Sequence, residues 1–365
     1  MELNRLKIGM SDGRVAYIKQ RHIHILLVGK SGTGKSSSLS HWWEEDGNRV
    51  CKILIEPSGF LSADAYSMSK GRALYCSLTH PISINPMQSP YDPSTISDII
   101  AEAVNQVVAI TTPNQPFTVK MRGILDEAIK YCLANGRPSL IHVKNRIVNT
   151  PGSGETRDGV IQRLNFLLND ERMIPILCGN DAIQWGELIQ QGQSFILDCF
   201  GMGTEKMIFC GNIVSQGLKN YFRYERPKVY KPCVIHIDEC QNFVNQNFMD
   251  ILKEGRKFKL AVTLATQDFA QIPEPMTRAM LNVGNIVCYR VGFREANMIA
   301  KELGAPVADI QFLEKWHAAY MTPEAKGIAK ISRPPLVRKI EVKAEPKIKS
   351  KGWFVLESCQ PESSQ

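Results

Sequence analysis

Residues 29–36 read Gly-Lys-Ser-Gly-Thr-Gly-Lys-Ser and meet every fixed position of the pattern G-x-x-x-x-G-K-[ST]. Each residue type has a task in that pattern. Glycine admits positive φ, so successive N–H groups can converge on phosphate oxygens, and the start of a following helix adds its positive pole. Lys35 is expected to reach the β and γ phosphates of a nucleoside triphosphate, and Ser36 to supply a hydroxyl to Mg²⁺. Gly29, Lys30, Ser31, Gly32, Thr33, Gly34, Lys35, Ser36 and Ser37 form the expected binding set, for ATP with Mg²⁺.

Three further groups suit phosphate chemistry. Residues 233–239, Cys-Val-Ile-His-Ile-Asp-Glu, are an apolar run ending in two acids. Asp238 is expected to hold Mg²⁺ through its water shell, and Glu239 to orient and deprotonate an attacking water. Taken alone, two acids after a strand also fit an ordinary solvated strand end; the phosphate loop favours the hydrolytic reading. Gln267 follows a second apolar run, 260–266, and its amide can bond both a water and a γ-phosphate. A cap or turn before Asp268 is the plainer alternative for it. Arg256, in Lys253-Glu254-Gly255-Arg256-Lys257, is eleven residues before Gln267 and could serve a neighbouring subunit's site, since its planar charge suits a transferring phosphoryl group. A solvated helix end competes with that reading.

These residues need a scaffold that brings strand ends together. The run 22–28 reads as a buried strand, 36–43 as a helix and 51–55 as a second strand, which is the order of a parallel α/β sheet. Strands are also expected at 194–199, 233–237, 260–266 and 285–291, with a long helix over 205–224. Between 89 and 170 the spacing turns helical, over 95–110, 118–135 and 160–169, with Thr112-Pro113, 136–138 and 150–154 as breaks. The expected division is an N-terminal hairpin segment 1–20 turning at Asp12-Gly13, a core in two parts at 21–88 and 173–325, a helical insertion 89–172, and a basic segment 326–365.

With 365 residues, 44% hydrophobic and 22% charged, the chain can bury a large core, and disorder throughout is excluded. No apolar run approaches a membrane span, so a cytoplasmic protein is expected, with recruitment to a membrane by a partner left open. Ten scattered cysteines read as reduced, mostly buried thiols. Cys233, His236 and Cys240 lack the paired spacing of a zinc site, and His236 reads as a core residue. Residues 326–351 hold nine Lys or Arg and two Glu, which is seven of the eight net positive charges. Such a segment is either a solvated tail or a polyanion contact.

In order and spacing the chain resembles the HerA/FtsK superfamily of P-loop motors, especially HerA-like and TraG/TraD-like coupling ATPases of conjugation and type IV secretion. The resemblance covers roughly residues 15–305 and runs through 21–36, Ile84-Asn85-Pro86-Met87, Asp238-Glu239, Gly255-Arg256-Lys257, Ala265-Thr266-Gln267 and 285–290. It implies a RecA-like P-loop NTPase core, with a mostly parallel central sheet flanked by helices, plus the helical insertion. It further implies a homo-hexamer hydrolysing ATP at subunit interfaces and translocating DNA, double-stranded in the first place, in conjugation, DNA transfer or genome packaging. By position, Lys35 and Ser36 take nucleotide and Mg²⁺, Asp238 and Glu239 form the hydrolytic pair, Gln267 is the sensor amide and Arg256 the trans-acting arginine, with Arg290 and Arg294 as competitors. The chain departs from relatives in having no transmembrane helices or N-terminal β-barrel before the first core strand, and in reading Glu56-Pro57-Ser58-Gly59 where Asp-x-Lys-Gly is frequent. A secretion ATPase serving a protein complex is the alternative, with secretion or packaging proteins as partners.

Overall fold

A computed structural model of the chain describes residues 3, 5–47, 50–151, 154–225, 227–243, 245–332, 335, 337 and 339–342. Among them eleven strands form one sheet: β1 (Leu6–Ser11), β2 (Arg14–Ile18), β3 (Ile25–Val28), β4 (Cys51–Glu56), β5 (Leu74–Cys76), β6 (Phe195–Asp198), β7 (Cys233–Ile237), β8 (Leu260–Thr266), β9 (Asn285–Cys288), β10 (His317–Met321) and β11 (Lys326–Lys330). Their order across the sheet is β2-β1-β11-β10-β9-β3-β8-β7-β4-β6-β5. From β9 to β5 each neighbouring pair is parallel. The remaining strands, β10, β11, β1 and β2, continue the sheet antiparallel. This is the α/β class expected from the sequence.

Burial on both faces explains the continuous apolar runs. Ile25 and Leu27 of β3 join a core with Leu39, Trp42 and Trp43 from the helix Lys35–Glu45, whereas Leu26 and Val28 enter the larger core on the opposite face. Successive side chains of a strand point to opposite faces, so a strand covered on both reads Ile-Leu-Leu-Val without alternation.

The larger core also carries the helices Pro93–Thr111, Val119–Ala134, Leu140–Asn149 and Glu155–Leu168. Asp92 starts the first of them, its carboxylate accepting the N–H groups of Ser94 and Thr95 at 3.0 and 3.1 Å ahead of a proline at the first helical position. Gln216, on the long helix Thr204–Asn220, joins this layer to the sheet's cover by donating its Nε2 to Ile99 O at 3.2 Å. Among the described residues, no helix is long and apolar enough to cross a membrane.

Several expected boundaries shift. The run 22–28 is a strand only from Ile25, because residues Arg21–Ile23 form a 3-10 turn and His24 takes a left-handed φ of 66°. That turn buries Arg21 against Asp46 at the end of the following helix, with Nη2 2.9 Å from Oδ2. The helix Leu140–Asn149 lies between two of the expected breaks of the helical insertion, in a stretch given no helix of its own, held by Leu140, Val143 and Ile147 in the core. Lys326–Lys330 opens the segment read as basic, yet it is β11, paired with both β10 and β1. Residues 343–365 of that segment lie outside the described residues, as do Gly152 and Ser153 of the expected 150–154 break.

Candidate nucleotide site

The parallel strands end along one margin of the sheet, and the predicted chemistry lies there in a row. Val28 of β3 pairs with Thr266 of β8, and Ile237 of β7 with Leu264, so Gly29, Gln267 and Asp238 follow the ends of three adjacent strands. The amide of Gln267 therefore stands between the phosphate loop and the acid pair. Ligands of open α/β sheets bind outside these carboxyl ends.

In the loop, Gly32 and Gly34 have φ of 73° and 133°. Tyr289, buried at the end of β9, explains two of the glycines: a Cβ at Gly29 would come within 2.6 Å of the Tyr289 Cβ, and one at Gly34 within 2.6 Å of its Cε1. The Tyr289 hydroxyl is 2.7 Å from Ser38 Oγ, which fixes the ring against the start of the helix. The Lys30 N–H donates to Arg290 O at 3.0 Å, and the Thr33 hydroxyl donates to Lys30 O at 2.7 Å. Lys30, Ser31 and Ser36 are exposed at the mouth. Ser37 turns away, its hydroxyl donating to Ser332 O at 3.2 Å, so its part in the loop is its backbone N–H, in the first helical turn.

Lys35 is 6% exposed and donates Nζ to Gly29 O at 2.6 Å. Burial pulls its pKa below the usual lysine value, and the charges of Glu239 and Asp238 act against that pull. Asp238 is also buried, and its carboxyl is pushed up to about 6 by burial first and then by Glu239 and Glu56, with Lys35 opposing. Its Oδ1 accepts the Glu239 N–H at 3.0 Å. A buried carboxylate held above its ordinary pKa is a hard-oxygen donor that a Mg²⁺ would relieve, and the exposed hydroxyl of Ser36 is a second oxygen donor at the loop.

Glu239 is half-buried and left-handed, with φ 46° and ψ 52°. Its Oε1 accepts from Gln267 Nε2 at 2.6 Å, and its Oε2 from Gln241 Nε2 at 2.8 Å. The structure thus brings together Lys35, Asp238, Glu239 and Gln267, with Ser36 next to Lys35 in the chain. It does not bring Arg256 to them: the turn Gly255–Phe258 precedes β8, at the opposite margin of the sheet, where Arg256 is exposed. Arg290 and Arg294 follow the end of β9, on the margin of the phosphate loop.

Sequence reasoning missed Gln241, Tyr289, Glu56 and Asp198. Glu56 and Asp198 end β4 and β6 and are both buried. Glu56 accepts the Ser58 N–H at 2.7 Å and the Ser62 hydroxyl at 2.9 Å, and Asp198 the Tyr75 hydroxyl at 2.5 Å. An acid closing a buried apolar run, as in Ile55-Glu56-Pro57, was the available signal.

This margin of strand ends, with its glycine loop, buried lysine and paired acids, defines a P-loop nucleotide-binding core of RecA-like build. No protein-family model and no curated protein sequence matches the chain. Among solved structures, the fold is that of the plasmid coupling protein TrwB: the form in complex with ADP and Mg²⁺ is 15% identical, over 93% of this chain and 92% of that one, at a TM-score of 0.72. An unbound form of TrwB is 13% identical over 92% and 88%, at 0.69. VirB4 of Thermoanaerobacter pseudethanolicus is 13% identical, over 92% of this chain and 99% of its own, also at 0.69.

Proposed function

We propose that the chain is an ATP-hydrolysing motor of the coupling-protein kind, which assembles as a ring of identical subunits and moves DNA. The observation that carries the ATPase reading is the meeting of Lys35, Asp238, Glu239 and Gln267 at adjacent strand ends. The fold shared with TrwB, whose structure contains ADP and Mg²⁺, supports the choice of ligands. In this reading residues 21–88 and 173–325 make the nucleotide core, and 89–172 is the inserted helical part.

Loop N–H groups and Lys35 hold the phosphates, and Lys35 exchanges the Gly29 carbonyl for a phosphate oxygen. Ser36 and Asp238 hold Mg²⁺, which neutralises charge on the phosphate oxygens when bound. Glu239 takes a proton from the attacking water, and Gln267 contacts the γ-phosphate and reports its loss. Arg256 reaches the site of the next subunit.

Steady-state ATP hydrolysis by the purified chain, with and without double- and single-stranded DNA, at two salt concentrations and several protein concentrations, tests this. DNA stimulation that falls steeply with salt, and activity per subunit that rises with protein concentration, are expected. Hydrolysis indifferent to DNA rejects the DNA motor and selects an ATPase serving a protein complex. No hydrolysis under any condition rejects both.

A further inference from the structure

Two side-chain amides, not one, close on Glu239. Gln267 comes from the end of β8, and Gln241 from the turn Cys240–Asn242 just after β7. The direction of the Gln241 amide follows from its partners: a carboxylate only accepts, so the NH₂ group faces Glu239 and Oε1 faces the Thr266 hydroxyl at 2.9 Å, whose single proton it shares with Asp268 O at 2.7 Å. Thr266 is fully buried, and its carbonyl accepts the N–H of Gly29 at 3.2 Å. Gln241 thus links the acid to the strand that borders the phosphate loop. The backbone of Glu239 calls for such a link, because a non-glycine residue keeps a left-handed conformation only where its surroundings impose it.

We propose that Gln241 is a positioning residue for hydrolysis, holding Oε2 of Glu239 so that the carboxylate keeps its aim on water when Gln267 leaves Oε1 for the γ-phosphate. The inference rests on the reading of Glu239 as the base. The two amides differ in what anchors them. Gln267 must exchange partners for the sensor role assigned to it. Gln241 is held from behind by a buried threonine and need not move. A charge-assisted bond of this kind steers a carboxylate without touching the substrate.

Single-turnover hydrolysis and equilibrium binding of ATP with Mg²⁺, on the full chain, test the proposal with Gln241→Leu, Thr266→Val, the double variant and Glu239→Gln. Gln241→Leu is expected to slow the hydrolysis step roughly ten- to hundredfold while affinity stays within about threefold. Thr266→Val is expected to lose less, and the double variant to be no slower than Gln241→Leu, since both changes cut the same link. If Gln241→Leu does not fold, Gln241→Met, of equal length and without the amide, carries the same expectation. Wild-type hydrolysis in the Gln241 variant, additive losses in the double variant, or affinity and unfolding temperature falling together with rate would overturn the proposal. Normal turnover in Glu239→Gln is a different outcome, and removes the base assignment on which the proposal rests.

Discussion

Arg256 and Gln267 stand at the two ends of β8. Gln267 follows Thr266 at the nucleotide margin, and Arg256 belongs to the turn before Leu260. The seven residues of the strand separate them by about 20 Å, too far for one side chain to span. An Arg256 that acts on phosphate must therefore act on another subunit's nucleotide, whereas Arg290 and Arg294 follow the end of β9 on the margin that carries the phosphate loop.

Mixing separates these cases. Arg256→Ala subunits added to wild-type subunits are expected to depress ATP hydrolysis more steeply than their fraction, because each also disables a neighbour. Arg290→Ala and Arg294→Ala subunits are expected to reduce it in proportion. A proportional loss with Arg256→Ala would exclude action across subunits.

Two loop glycines have unequal surroundings. A Cβ at Gly34 meets the Tyr289 ring at 2.6 Å, and one at Gly32 has nothing within 4 Å, although both have positive φ. Gly34→Ala is expected to weaken ATP binding roughly a hundredfold and Gly32→Ala roughly tenfold, from backbone strain alone in the second case. Titration with a fluorescent ATP analogue measures both; equal losses would show that the tyrosine wall is irrelevant.

His24 gives stability a pH dependence of known sign. It is buried, its Nδ1 accepts the Val262 N–H at 3.2 Å, and burial lowers its pKa from 6.5 to about 4. The unfolded chain therefore binds the proton first, so the contribution is full above pH 6.5 and is lost as pH falls towards 4. Its size is on the order of 3 kcal/mol. Asparagine offers an acceptor in place of Nδ1. Denaturant unfolding of His24→Asn is expected to show a flatter profile than wild type between pH 6.5 and 4, and identical slopes would refute the assignment.

Much of this site was legible because it rests on residue identity at fixed spacing. The phosphate loop, the acids after β7 and the amide after β8 each follow an apolar run, and a parallel strand buried on both faces is easily seen as such. What could not be read was adjacency across the sheet. β8 follows β7 in the chain but inserts between β3 and β7 in space, so the meeting of Gln267 with Glu239 depends on pairings that no local pattern encodes. Gln241 was passed over because its partner Thr266 is 25 residues away. β5 has three residues, too few for a period, and β11 reads Lys-Gly-Ile-Ala-Lys, whose charges drew it into the basic segment. The turn at Arg21–Ile23 answers to a buried partner on another element, Asp46.

The sheet's two outer margins are β2 and β5, five and three residues long. Edges that short offer little template for strand addition, so in the ring proposed above copies of this chain would meet through loops and helix faces. Contacts of that sort consist of side chains, which can be exchanged one by one. Neighbouring copies in such a ring would then be free to change their relative tilt with each nucleotide consumed, without breaking a backbone ladder between them.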